Sequence, residues 1–98
     1  MLALTEAQLS YCFRVSKLFE EGKATIGLIG RCKAICSRLG REVAQLAREV
    51  CGGNGILLEN RVIKSLLDME VIYTYEGTYD VNMLIAAREL TGGLNAFK

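Results

Sequence analysis

From Ile29 to Val50 the residues Ile29, Cys32, Cys36, Leu39, Val43, Leu46 and Val50 advance by alternating steps of three and four without a miss. Only a helix puts such positions on one face, and an unbroken seam of this length is buried by packing against neighbouring helices at a shallow angle. The spacing predicts a helix from about Thr25 to Val50, with Arg31, Lys33, Arg38, Arg41, Glu42, Arg48 and Glu49 off the seam. Glycines at 27, 30 and 40 weaken a free helix, so the seam reads as part of a bundle rather than of an isolated two-stranded coil.

The flanking segments supply the partners. Between Leu2 and Phe19 the apolar residues fall at helical spacings, with Leu9, Cys12, Phe13 and Phe19 on one broad side, and the charged Glu20-Glu21-Gly22-Lys23 segment ends that helix. After the seam, Cys51-Gly52-Gly53-Asn54-Gly55 offers the positive-φ residues of a helix terminus and a tight turn. A third helix follows from roughly Asn60 to Thr74 on Val62, Leu66, Met69 and Tyr73, although Met69 to Tyr75 is rich in strand-favouring residues. Thr78 caps a fourth helix, Asp80 suits its first turn, and Val81, Leu84, Ile85 and Arg88 share a face until Gly92-Gly93. Residues 94–98 form a short tail. The expected fold is all-α, an antiparallel up-down four-helix bundle.

With 98 residues, 51% hydrophobic and no proline, the chain makes one domain. Twelve Lys and Arg against eleven Asp and Glu leave a net charge of +1, too even for a nucleic-acid surface. No apolar run approaches a membrane span, and Glu6 falls where a secretory signal needs its apolar core, so the cytoplasm is the default compartment. So apolar a small domain is expected to turn some hydrophobic surface toward another subunit or domain. Four cysteines (Cys12, Cys32, Cys36, Cys51) without any histidine or C-x2-C pair read as small buried hydrophobes in a reducing compartment, and no metal is expected.

The absence of histidine also excludes Ser-His-Asp and Cys-His catalysis, and no G-x-S-x-G elbow is present. Two junctions stand out, Gly52-Gly53-Asn54-Gly55 and Tyr75-Glu76-Gly77-Thr78. The first is either a plain turn or a place where a phosphate approaches bare backbone. In the second, Glu76 is either a solvated turn carboxylate or a general base held between two helices, with Gly77 leaving room for a substrate.

Taken in order, the two junctions, Leu2-Ala3-Leu4-Thr5-Glu6 at the front, and Ala87-Arg88-Glu89 through Thr91-Gly92 near the end resemble the C-terminal helical domain of the acyl-CoA dehydrogenases. Within the family the resemblance is nearest to the glutaryl-CoA dehydrogenases and short-chain acyl-CoA oxidases. It implies a fragment, residues 1–98 being a single C-terminal helical domain with the family's N-terminal helical and β-domains absent. It also implies α,β-dehydrogenation of an acyl-CoA thioester, with FAD taking the hydride, electron-transfer flavoprotein as the electron partner, and a homo-oligomer, dimer or tetramer, built through the bundle. The compartment implied for a eukaryote is the mitochondrial matrix.

By the same resemblance Glu76 is the catalytic base, and Tyr75 and Gly77 line the acyl pocket. Thr78 and Asp80 contact the cofactor near the base, and Gly52 and Gly53 reach the FAD of a neighbouring subunit. Glu49 departs from the glutamine of several relatives, and a carboxylate beside a pyrophosphate is unfavourable. Alone, the 98 residues are expected to hold no flavin and to turn nothing over. Two alternatives are a stand-alone helical self-association module and a fragment of an acyl-CoA oxidase.

Overall fold

The computed structural model describes residues 1–92; Gly93 and the tail at 94–98 lie outside the described residues. Within them the chain forms α1 (Leu2–Glu20), α2 (Ile26–Val50), α3 (Val62–Thr74) and α4 (Tyr79–Leu90), with no strand. The all-α expectation holds. Met69 to Thr74 stays helical despite its local strand preference because α2 half-buries Met69 and Tyr73.

Local chemistry sets the ends. The Gly22 N–H donates to Phe19 O at 3.0 Å and the Lys23 N–H to Leu18 O at 2.8 Å, which closes α1 in the charged connection. Thr25 caps α2 by accepting from the Leu28 N–H at 3.2 Å, and Thr78 caps α4 by accepting from the Val81 N–H at 3.3 Å. Two 3-10 turns, Gly52–Ile56 and Leu58–Asn60, join α2 to α3. They delay α3 to Val62, two residues past the expected start, with Arg61 left-handed at φ 61°.

Helix α2 is the spine against which α1, α3 and α4 all pack. Gln8 lies beside Gly40 and Cys12 beside Cys36, so α1 runs antiparallel to α2. Met69 meets Gly40 and the Tyr73 carbonyl meets Lys33; farther along, Asn82 meets Gly30 and Glu89 meets Gly27. Falling α2 numbers against rising α3 and α4 numbers mean that α3 and α4 run in succession down the spine. The Tyr75–Thr78 segment between them is therefore a bend rather than a reversal.

Cys32 apart, the face of α2 that packs most tightly is not its apolar seam. Its buried residues are Gly27, Gly30, Cys32, Ala34, Ser37 and Ala44, whereas Ile29 is 42% and Val50 76% exposed. Small side chains let helices approach closely: a Cβ on Gly30 would stand 3.2 Å from the Asn82 carbonyl. The fourth helix needs the same correction. Val81, Leu84 and Ile85 are exposed, and α4 turns Asn82 and Ala86 inward because only these fit the small-residue stripe. On α1 only Val15 is buried, while Leu9, Phe13 and Phe19 are exposed. Arg88 likewise lies at the surface.

One polar clamp ties the far end of α4 to the start of α2. The Thr25 hydroxyl donates to Glu89 Oε1 at 2.6 Å and the Gly27 N–H to Oε2 at 2.8 Å. A carboxylate there neutralises amides that the first turn of α2 cannot pair internally. The Thr25 and Gly27 hydrogen bonds, with the Arg31 charge, hold the Glu89 carboxyl below the usual carboxylate range.

Candidate active site

The bend between α3 and α4 is built by its backbone. Glu76 is left-handed at φ 54° and Gly77 follows at φ 92°. A side chain on Gly77 would also collide with the Asn82 amide, whose Oδ1 would lie 2.9 Å from an added Cβ. Glycine is therefore required there on two counts. A glutamate in the left-handed region is strained, by about 1–2 kcal/mol, and such strain persists only where the surroundings hold it.

Two donors hold this bend. Lys33 Nζ, reaching across from α2, donates to the Tyr73 carbonyl at 3.1 Å and to the Gly77 carbonyl at 2.8 Å, one on each side of Glu76. Asn82 Nδ2 donates to the same Gly77 carbonyl at 2.9 Å. Burial lowers the Lys33 pKa below the usual lysine range, and the Glu76 carboxylate opposes that shift by favouring the ammonium. The Tyr75 ring lies under the ammonium at 5.9 Å. Farther out, Tyr73 and Tyr79 stack at 6.0 Å, with Arg41 and Arg38 over their respective rings. Arg41 also pairs with Glu70, which fixes α3 against α2.

Glu76 is exposed, and two openings meet at it. A groove of about 810 Å³ runs between α1, α2 and α3, lined by Phe19, Ile29, Met69, Ile72 and Tyr75 among others. A smaller cleft of about 340 Å³ lies on the α4 side, against Ile26, Gly30, Asn82 and Ile85. Ile29, Lys33 and Glu76 line both. A carboxylate facing a mostly apolar space of this size beside convergent polar groups is the arrangement of a small-molecule site.

The other site residues fall in two places. Tyr75 lines the larger groove, 55% exposed. Gly77 lines neither opening, since its carbonyl is turned to Lys33 and Asn82. The Thr78 oxygen is occupied by its cap, which leaves its O–H free to donate, and Asp80 is exposed on the first turn of α4. Gly52 and Gly53 are exposed with nothing within 4 Å of an added Cβ. They lie past the C-terminus of α2, about 27 Å along its axis from Lys33, so the chain does not bring its two glycine-bearing junctions together.

Sequence reasoning missed Lys33 and Asn82. Lys33 had one signal: Gly30, Lys33, Ser37, Gly40 and Ala44 form a second seam of alternating three and four steps, all small except the lysine. The cysteines also need correction. Only Cys32 is buried; Cys12 and Cys51 are exposed and Cys36 is half-buried. Cys12, Cys32 and Cys36 gather with all three sulfurs within 4.8 Å of one another. Burial pushes the Cys36 and Cys32 thiols up. Cys32 and Cys36 reach this cluster from successive turns of α2, and Cys12 reaches it from α1.

The family model for the C-terminal domain of acyl-CoA dehydrogenase matches residues 1–91. Together with the four helices, the bent junction and the groove that opens at Glu76, this match means that the chain belongs to the acyl-CoA dehydrogenase family and carries its C-terminal domain.

Proposed function

We propose that this domain supplies the proton-abstracting carboxylate, Glu76, and one wall of the acyl cleft in an FAD-dependent acyl-CoA dehydrogenase. The observation that carries the reading is the exposed Glu76 side chain, held at a strained backbone position where two openings meet. A general base must reach the substrate's Cα–H, and a carboxylate facing an apolar groove is stripped of water when an acyl chain fills it. Lys33 and Asn82 orient the bend through its carbonyls, so the carboxylate is aimed without either donor occupying it.

In this proposal the thioester lies with its Cα toward Glu76 and its acyl chain along Tyr75, Ile72 and Phe19 in the groove. Glu76 takes the α-proton, and the negative charge developing on the thioester oxygen requires donors placed in advance. Bound FAD supplies the acceptor for the β-hydride. The residues here would meet that group at two separate places: the Thr78 hydroxyl, free to donate, beside Glu76, and the bare, exposed backbone at Gly52 and Gly53, at the other end of α2, against the FAD of a neighbouring subunit. Asp80, at the N-terminus of α4, is stabilised by the helix dipole but repels a phosphate. The remainder of the flavin site belongs to polypeptide beyond these helices.

The glutaryl-CoA and short-chain oxidase branch is carried by sequence resemblance alone, and electron-transfer flavoprotein as electron partner follows from the dehydrogenase reading. A homo-oligomer through the bundle faces is favoured by Phe13 and Phe19 at 71% and 66% exposure. None of the four helices is long and apolar enough to cross a membrane. In the flavin-loaded full-length enzyme, Glu76→Gln is expected to retain the flavin spectrum and to lose acyl-CoA-dependent bleaching; bleaching at the parent rate would remove Glu76 from the reaction.

A further inference from the structure

The three-cysteine cluster stands apart from the chemistry of Glu76. Cys12 on α1 lies 3.4 Å from Cys36 on α2, sulfur to sulfur, and Cys36 lies 3.9 Å from Cys32 one turn earlier. The third separation is within 4.8 Å. A metal bonded to three thiolates in a plane at about 2.3 Å per bond needs sulfur separations of about 4.0 Å. Two of the separations, 3.4 and 3.9 Å, lie just below that value, and the third is no more than 4.8 Å.

The donor set indicates which cation. The chain has no histidine, and the fourth cysteine, Cys51, lies beyond the far end of α2. Zinc in a structural site takes four protein ligands, while a soft monovalent d10 ion is satisfied by fewer, softer ones. Cys32 is buried and shields one side, and the exposed Cys12 opens on the groove and gives an entry path. Lys33 lines the same groove and offsets part of the negative charge that thiolates would gather.

We propose that Cys12, Cys32 and Cys36 form a three-thiolate site for a soft monovalent cation of the copper(I) class. Binding forms three metal–sulfur bonds, and each S–H that becomes a ligand releases its proton to solvent. No electron moves, and the cation enters and stays at +1. Loading joins α1 to α2 across the groove wall that Glu76 shares, independently of any flavin chemistry.

The test uses the reduced chain under anaerobic conditions with a non-thiol reductant, titrated with an acetonitrile complex of copper(I) against a chromophoric copper(I) chelator. One equivalent is expected to bind, with three sulfur neighbours in X-ray absorption. Cys51→Ser is expected to leave affinity unchanged. Replacing a supporting residue around a metal costs 10–100-fold, so losing a direct ligand in Cys12→Ser is expected to cost at least about 100-fold. Cys12 is exposed, so the helical circular dichroism of that variant is expected to match the parent. Two sulfur neighbours, unchanged affinity in Cys12→Ser, lost affinity in Cys51→Ser, or tighter four-coordinate binding of zinc would each overturn the assignment.

Discussion

Replacing Lys33 with methionine keeps the length and apolar stem of the side chain and removes only the ammonium that grips the bend at Glu76. Two charge-assisted hydrogen bonds are lost, to Tyr73 O and Gly77 O. Each contributes about 1.5–3 kcal/mol. Against this, the variant no longer desolvates a half-buried cation, and Gly77 O keeps its bond from Asn82. The net expectation is a loss of about 2 kcal/mol, which in a domain of this size lowers the melting temperature by about 8–16 °C. Thermal unfolding followed by circular dichroism measures it. Asn82→Ala combined with Lys33→Met strips Gly77 O of both donors, so the double variant should lose about 1 kcal/mol more than the two single losses added together. A Lys33→Met melting point within about 2 °C of the parent, or strict additivity, would refute the view that Lys33 and Asn82 jointly hold the bend.

Glu76→Gly relieves left-handed strain of about 1–2 kcal/mol, partly offset by the freer unfolded chain, so urea denaturation should show a gain of about 0.5–1 kcal/mol. A loss of stability would mean that the glutamate is not strained there. The Glu89 carboxyl is held below its ordinary value, so its clamp contributes stability above about pH 4.3 that disappears as pH falls through the lower folded value. Glu89→Gln should therefore lower the urea midpoint at pH 7 and leave it near the parent's at pH 2; equal differences at both pH values would count against the clamp. Gly30→Ala and Gly40→Ala should separate. The first pushes a methyl against the Asn82 backbone carbonyl, with a cost of about 1–2 kcal/mol, whereas the second meets only the ends of the flexible Met69 and Gln8 side chains and gains helix propensity. Equal melting shifts for the two would show that α4 does not sit on Gly30.

Periodicity and capping made the helices legible. The unbroken apolar steps gave α2 almost to the residue, and Thr78 announced α4 through a cap that a hydroxyl makes locally. Which faces are buried was not legible, because the pattern of large apolar residues marks what must be covered by something and not what this chain covers. Phe13, Phe19 and Val81 satisfy the helical pattern yet lie exposed, while Gly30, read as weakening a free helix, forms the contact together with Ala34 and Ser37, which lie off the apolar steps. At the candidate site, Glu76 and Gly77 were singled out because a short motif carries them. Lys33 was not, because its partners are backbone carbonyls some forty residues away, and a carbonyl leaves no mark in a sequence. The cysteine triangle was hidden for a related reason, since Cys12 reaches it from a different helix.

The role assigned to Glu76 is tested most directly by proton exchange rather than by turnover. In the flavin-loaded full-length enzyme, an acyl-CoA analogue that cannot lose its β-hydride is incubated in heavy water, and deuterium entering at the α-carbon is followed by NMR. Exchange is expected in the parent and in Lys33→Met at reduced rate, and in Glu76→Gln it should fall by at least about a hundredfold, the contribution of a positioned general base. Exchange that persists in Glu76→Gln at the parent rate would contradict the assignment and move the base to another residue.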